Sequence, residues 1–344
     1  MNIFQKLYTP KSSNRKSAKG NFLFFAFLSI ILLITLILSV ILGATDIDAL
    51  KTLFSGDKTS AEYRIIFYVR LPRAISAILC GSALAVSGVI IQAVLNNAMA
   101  SPGVIGVNAG AGLFAAIITA LFPSAVMLIP PMAFIGALLA CLLIFTIAAK
   151  TGARRITVTL AGLTISSILT AGINTIKTIF PNSVYNLTAF SVGGLSGVNF
   201  SVLQYTMPLI LISIVLSTLF AKDIDVLSLG EETAAGLGMR VGRMRFFLLM
   251  LASVLAGCAV CIAGLIGFVG LIIPHIARRF TANRHTILIP ASALMGAELV
   301  LLCDILGRVI FRPYEVPVGI LLSFIGGFFF LGLILTKRSS KVYD

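Results

Sequence analysis

Arg70-Leu71-Pro72-Arg73 sets two guanidiniums three residues apart, and Arg308 and Arg312 set two more at a second place in the chain. A guanidinium grips a carboxylate through two parallel N–H donors, so such a cluster has the chemistry to recognise acids on another protein. It can equally serve the chain itself, through an Asp304–Arg308 pair at i, i+4 or by snorkelling to a membrane edge. A second charged stretch is Leu229-Gly230-Glu231-Glu232-Thr233-Ala234-Ala235-Gly236-Leu237-Gly238. Between Lys222 and Arg245 the chain carries four acids and four bases, although only 11% of its residues are charged. A polar, helix-prone stretch between two long apolar spans has the character of a docking surface for a soluble partner.

Other reactive residue types lead less far. Gly194-Leu195-Ser196-Gly197 matches the short G-x-S-G pattern of intramembrane serine proteases. A serine nucleophile needs a base within hydrogen-bond reach, and the two histidines, His275 and His285, lie in Pro-His-Ile-Ala-Arg and in a basic loop. A loop or re-entrant turn is the better reading. Cys258-Ala259-Val260-Cys261 puts two thiols on one helix face, but a metal site needs more ligands than these; small buried residues are expected, and no metal. Glu298 is the one acid near the middle of an apolar span. Buried carboxylates in membranes often mark function, so proton coupling stands beside a simple hydrogen bond to a neighbouring helix. No G-x-x-x-x-G-K-[ST] loop is present, so the chain has no phosphate cradle of that kind; if ATP drives it, another polypeptide supplies the ATPase.

These residues must be held by a chain of 344 residues that is 58% hydrophobic, with mean hydropathy +1.07. A soluble domain averages about 25% charged residues. The apolar blocks run near the roughly 20 residues that carry a helix across hydrocarbon. The expected fold is an all-α polytopic membrane protein with about ten transmembrane helices, at 21–43, 65–92, 103–121, 125–149, 156–180, 201–220, 246–268, 271–281, 286–307 and 316–335. The block at 271–281 is short and carries Pro274; it either crosses or forms half of a broken helix buried among its neighbours. The basic residues ahead of Phe22 resemble a signal peptide, but the run that follows is too long for a signal core, so an uncleaved first span is expected.

Of the 26 Lys and Arg residues, eighteen fall on the side of both termini in this scheme and eight on the other. Cytoplasmic loops collect such charges, which places both termini in the cytoplasm. This location also explains the net charge of +14 without nucleic acid. The five cysteines all lie in apolar spans, which makes a disulfide framework unexpected. Small residues at helical spacing, such as Gly81, Ala85 and Gly88, serve close helix packing; around Gly106 and Gly110 a substrate path is the alternative.

Taken in order, RLPRAISAILCGSALAVSGVIIQAVLNNAMASPGVIGVNAGA (70–111), LAG (160–162), FSVGGLSGVNF (190–200), LSLGEETAAGLGM (227–239), GLIGFVGLIIPHIARR (264–279) and the Asp304 to Arg308 segment resemble the FecCD family. These are the iron-siderophore, haem and vitamin B12 permeases of bacterial ABC importers. Two segments depart from the family pattern: Asn96-Asn97-Ala98-Met99-Ala100-Ser101 before Pro102, and Thr281-Ala282-Asn283-Arg284-His285.

The resemblance implies a type II ABC importer permease in a bacterial cell membrane. It implies a basic tail at 1–20, a single transmembrane domain at 21–336 and a tail at 337–344. The chain would be a transport subunit and no enzyme, with no cofactor of its own. Its partners would be two cytoplasmic ATP-binding subunits, a second permease in a homo- or heterodimer, and an extracytoplasmic substrate-binding protein. The cargo would be a metal chelate, with ferric siderophore preferred to haem or cobalamin. By resemblance, Arg70, Arg73 and Arg308, with Arg312 beside them, meet acids on the binding protein. The segment 226–239, with Leu229, Gly230, Glu231, Glu232, Ala235, Leu237 and Gly238, couples to the ATPase. Gly106, Val107, Asn108 and Gly110 with Thr151, Arg155 and Thr157 form the path and gate. An ion-coupled secondary transporter that depends on Glu298 is the alternative from another class.

Overall fold

Hydrocarbon offers no hydrogen bonds to a backbone, so a chain this apolar must satisfy its peptide groups within helices. The computed structural model describes residues 18–43, 59–150, 155–181, 184–198, 200–281 and 284–339. Among these residues every regular element is helical. In chain order they are α1 (Ala18–Ile41), α2 (Ala61–Leu95, with a π-helical turn at Ile66–Arg70), α3 (Val107–Leu121), α4 (Ile129–Lys150), α5 (Arg155–Ile179) and α6 (Val184–Val192). Then come α7 (Phe200–Leu219), α8 (Ala221–Ser228), α9 (Glu231–Gly236), α10 (Val241–Ala263), α11 (Val269–Thr281), α12 (His285–Val309) and α13 (Val318–Ser339). Seven of the described helices are long and apolar enough to cross a membrane, and α3 and part of α13 are shorter apolar helices.

Each of the ten expected spans coincides with one of these helices. Three short helices, α6, α8 and α9, lie between them. The basic residues Lys6, Lys11, Arg15, Lys16, Lys51, Lys58 and Lys341 lie outside the described residues.

The centre of the bundle is α2. Its Ala74, Ala77, Cys80, Ala83, Ala85 and Val86 are wholly buried, because α10, α11 and α12 pack around it. Small side chains let these backbones touch, which is where helix association in lipid finds its energy. A Cβ on Gly81 would collide with the carbonyl of Gly296 in α12, and one on Gly88 with the carbonyl of Gly270 in α11. At the same crossings α2 donates across helices: Ser82 Oγ to Ala293 O at 3.0 Å, Ser87 Oγ to Ala252 O at 2.7 Å and Gln92 Nε2 to Gly270 O at 3.2 Å. A second crossing joins α3 to α4 through Gly110 and Gly136.

The short block resolves as a broken helix. α11 has 13 residues, which at the helical rise is about 20 Å, well short of the roughly 30 Å of hydrocarbon. The segment 264–268 ahead of it is not helical, with Gly264 at φ 69° and Phe268 at φ 66°. Non-helical backbone at this depth is tolerated where protein surrounds it. Here Leu265 N donates to Phe190 O at 3.0 Å, and Gly194 N donates to Ala263 O at 2.8 Å.

The ends of the bundle are fixed by polar contacts. Glu231 meets Arg245 and Asp225 meets His285 at one end, while α1 finishes beside Arg70 and Arg308 at the other. With α10 leaving the first end and α12 starting there, α11 and its extended lead must run back across the bundle.

The glycine crossings give a direct test. Gly88→Val should lower the denaturation midpoint of the purified protein in detergent, by the equivalent of about 1–3 kcal/mol of overpacking. Gly242→Ala, with open space around its Cβ, should leave the midpoint unchanged or slightly raised.

Candidate functional site

The charged stretch between the two spans folds as two short helices joined at Gly230. The glycine has φ 122°, a backbone that L side chains resist, so the chain can turn sharply between α8 and α9. α8 is seated by Ala221, Ile224 and Leu227, all wholly buried. α9 buries only Ala234. Its other face is open: Glu232, Thr233, Ala235, Gly236, Leu237 and Gly238 are exposed. Leu229 and Leu237 stand 65% and 66% exposed, one on each flank. Two bare leucines beside a helix end form an apolar knob, in a stretch where Lys222, Arg240 and Arg243 are exposed together with Glu232. Such a knob suits an apolar pit. Glu231 is different from its neighbour, since its Oε1 accepts from Arg245 Nη2 at 2.6 Å.

At the opposite end the arginines do not face outward. Arg70, Arg73 and Arg308 are 3%, 8% and 2% exposed, which corrects the expectation of an outward-facing triplet. The reason is local chemistry. A helix leaves its last carbonyls without partners and carries partial negative charge there. Arg70 Nη1 donates to Val40 O at 3.0 Å and Ile41 O at 2.5 Å. Arg308 Nη1 donates to Ser39 O at 3.1 Å and Leu42 O at 3.0 Å, and its Nη2 to Ser39 Oγ at 2.7 Å. Two guanidiniums thus close the end of α1. The expected Asp304–Arg308 pair is present at 3.0 Å, and Asp304 also accepts from Arg73 Nε at 2.9 Å. Arg73 Nη1 then reaches Glu315 at 2.7 Å. Arg312 is the exposed member of the four, beside exposed Tyr314 and Glu315. A cavity of about 1070 Å³ opens next to this box, between Tyr63, Phe67, Tyr68 and the turn Leu195–Val198.

The path residues divide. Gly106, Val107 and Gly110 are buried, Gly110 against Gly136, so they pack this subunit rather than line a surface of it. Asn108 is half-buried. Thr151 lies outside the described residues; Arg155 opens α5, and Thr157 is half-buried on it. What the spacing of small residues did not reveal is the face of α5. Leu160, Leu163, Thr164, Ser167, Ile168, Thr170, Ala171, Asn174, Thr175 and Thr178 are all exposed, and only 11% of the central stretch of α5 is buried. α1 is equally uncovered, but apart from Ser29 its exposed residues from Phe22 to Leu38 are apolar, Phe22, Leu23, Phe27, Ile30 and Leu33 among them, as lipid requires. The exposed hydroxyls of α5 bond back to their own helix, Thr170 Oγ1 to Ser166 O at 2.7 Å and Thr178 Oγ1 to Asn174 O at 2.9 Å. Back-bonding makes such a face tolerable at low polarity, yet the amide of Asn174 keeps it polar. The signal was legible as the density of Thr and Ser between Thr157 and Thr178.

Glu298 Oε2 accepts from Thr35 Oγ1 of α1 at 2.8 Å, a helix-to-helix hydrogen bond, while its Oε1 is buried with no hydrogen-bond partner among the described residues. Ser196 sits in a turn after α6, whereas His285 is at the far end against Asp225 and His275 packs its ring on Phe329. The five cysteines are free and buried, and no cluster of metal-ligating side chains occurs among the described residues.

With this geometry in view, the likenesses are coherent. The model of the FecCD transport family matches residues 31–336. The iron(3+)-citrate import system permease protein YfmE of Bacillus subtilis is 39% identical over 94% of this chain and 98% of its own. The hemin transport system permease protein HmuU of Yersinia pestis is 35% identical over 93% and 97%. A solved structure described as an inward-facing metal-chelate type ABC transporter superposes with a TM-score of 0.81 at 26% identity, over 90% of this chain and 98% of that one. A matched family model over nearly the whole described bundle, relatives matched end to end and the same fold in a solved transporter together place this chain in the FecCD transport family of ABC importer permeases.

Proposed function

We propose that this subunit forms one half of a path for a metal chelate, ferric siderophore in preference to haem or cobalamin. The path runs between two permease copies across a bacterial cell membrane. The carrying observation is the uncovered, hydroxyl-bearing face of α5. A helix with Thr164, Ser167, Thr170 and Asn174 outermost gains little from lipid and is suited to face a second copy across water. Small hydroxyl side chains there would bind a chelate weakly enough to release it, leaving selection to a delivering protein. The iron-citrate and hemin permeases among the relatives support a chelate as cargo.

The charge bias of the loops supports both termini and the α8–α9 knob in the cytoplasm. There the knob would seat on an ATP-binding subunit, one for each permease. The Arg312 to Glu315 loop would then face outside and meet the binding protein. Arg70, Arg73 and Arg308 act behind it by fixing the ends of α1, α2 and α12.

Proteoliposomes holding the permease with its co-purified ATPase and binding protein test the whole reading. ATP-dependent uptake of a ferric siderophore is expected. Uptake that survives ATP depletion and collapses with the proton gradient would contradict it and make Glu298 the next residue to test.

Two substitutions separate the outer roles. Arg308→Gln takes one of its two cations from the buried Asp304 and leaves the Ser39 and Leu42 carbonyls without that donor, so it should cost about 3–5 kcal/mol of stability, read by thermal denaturation. Arg312→Glu should leave the midpoint in place and weaken binding-protein affinity by about tenfold. At the other end, Leu237→Asp should lower recovery of the ATPase in co-purification without lowering the yield of the permease, since Leu237 touches little of its own chain.

A further inference from the structure

α9 is a helix of 6 residues, too short to stand by its own hydrogen bonds. Glycines with positive φ bound it on both sides, Gly230 at 122° and Gly238 at 84°. A push on such an element is lost in the joints unless something stiff passes it on. Two features tie α9 to the rest of the subunit: Ala234 is buried, and Glu231 Oε1 lies 2.6 Å from Arg245 Nη2. The bond from Met239 N to Ala234 O at 3.0 Å only closes the turn after α9. Of these, the Glu231–Arg245 pair reaches another helix through a side chain.

Arg245 is 1% exposed, among the largest fully buried side chains of the protein. A guanidinium held that deep demands a counter-charge, and the Glu231 carboxylate supplies one. Glu231 therefore turns its Oε1 to this guanidinium, with its side chain 36% exposed, while Glu232 beside it is exposed. Two adjacent acids of one docking segment have different surroundings. α10, which carries Arg245, packs along α2, α4 and α7 and ends at Ala263. Its far end is bonded by backbone to Gly194 and Phe190, beside the turn that lines the outer cavity. α8 is tied in the same manner to α12, Asp225 Oδ1 accepting from His285 N at 3.1 Å and meeting His285 Nδ1 at 2.5 Å.

We propose that Glu231 is a positioning residue. Clamped on the buried guanidinium of Arg245, it passes the stroke of the ATPase from α9 to α10, and it makes no contact with the ATPase itself. Glu232 belongs to the docking face. This assignment rests on the ATP-driven reading above and divides the labour within its coupling segment.

The experiment uses the complete complex in proteoliposomes and reads three quantities: ATPase recovered per permease, ATP hydrolysed, and chelate moved per ATP. Glu231→Gln should leave ATPase recovery unchanged and hydrolysis running, while chelate moved per ATP falls by about tenfold or more. Arg245→Lys, which keeps the charge, should retain much of the coupling. Because Glu231→Gln alone leaves a buried charge exposed to misfolding, the double variant Glu231→Gln with Arg245→Met removes carboxylate and guanidinium together. It should match the wild-type denaturation midpoint and still be uncoupled. Recovery of wild-type transport per ATP in the double variant would overturn the proposal, since Glu231 would then only neutralise Arg245. Loss of ATPase from the Glu231→Gln complex would also overturn it, by placing Glu231 on the partner. Failure of the underlying reading looks different, for then the unmodified permease recovers no ATPase and moves no chelate with ATP.

Discussion

Asp304 lies between two arginines drawn from different helices, Arg73 of α2 and Arg308 of α12, and is itself 1% exposed. Around this one carboxylate the outer end of the bundle is assembled. Arg308 also closes the last turn of α1, Arg70 closes it from the other side, and Arg73 reaches on to Glu315. None of these groups can be left alone, because a charge or a carbonyl without a partner at the edge of hydrocarbon costs several kcal/mol. The constraint is mutual: two cations need the acid, and the helix end needs the cations. It fixes three helices and a loop relative to one another with few residues.

The same rule divides the polar groups of the protein into two kinds. Those satisfied within the subunit are structural, and they include groups that look reactive in sequence. The arginine triplet is the clearest case, bonded to helix-end carbonyls and carboxylates, whereas Glu298 is met by Thr35 on one oxygen only. Those left facing out of the subunit mark where something else must come. α5 presents hydroxyls and an amide along a face that no described residue covers, and α9 presents exposed leucines on its flanks. One faces sideways along the membrane and the other faces out of its end. A path between two copies and a seat for an ATPase are the two partnerships that such placement suits.

The spans were legible because the bilayer imposes length: each apolar block near 20 residues, closed by charge, Gly or Pro, became a helix at its expected place. The break at 222–245 was legible because its charges interrupt that pattern. The half-length of α11 was half visible, in a short block with Pro274, but its extended lead through Phe268 depends on bonds to Phe190, far away in sequence. The direction of the arginines was not legible. Arg70 and Arg308 donate to carbonyls of α1, 30 and 269 positions away, and a carbonyl has no signature in sequence. For the same reason Glu231 and Glu232 looked alike until Arg245 was placed beside one of them. Val107 and Gly110, expected on the path, are claimed by packing against α4 and the core, whereas the exposed face of α5 follows from which helices remain uncovered.

The central claim is that the α5 face meets water and a second copy rather than lipid. The most direct measurement places single cysteines at Thr164, Ser167, Thr170 and Asn174, in a background where the five buried cysteines are replaced. Each is labelled in intact membranes with a charged, membrane-impermeant maleimide, with cysteines at Phe27 and Ile30 of α1 as the lipid-facing comparison. The account predicts ready labelling along α5, changed by nucleotide when the ATPase is present, and almost none along α1. Equal silence on both helices, in protein shown to transport, would put α5 against lipid and contradict the path drawn here.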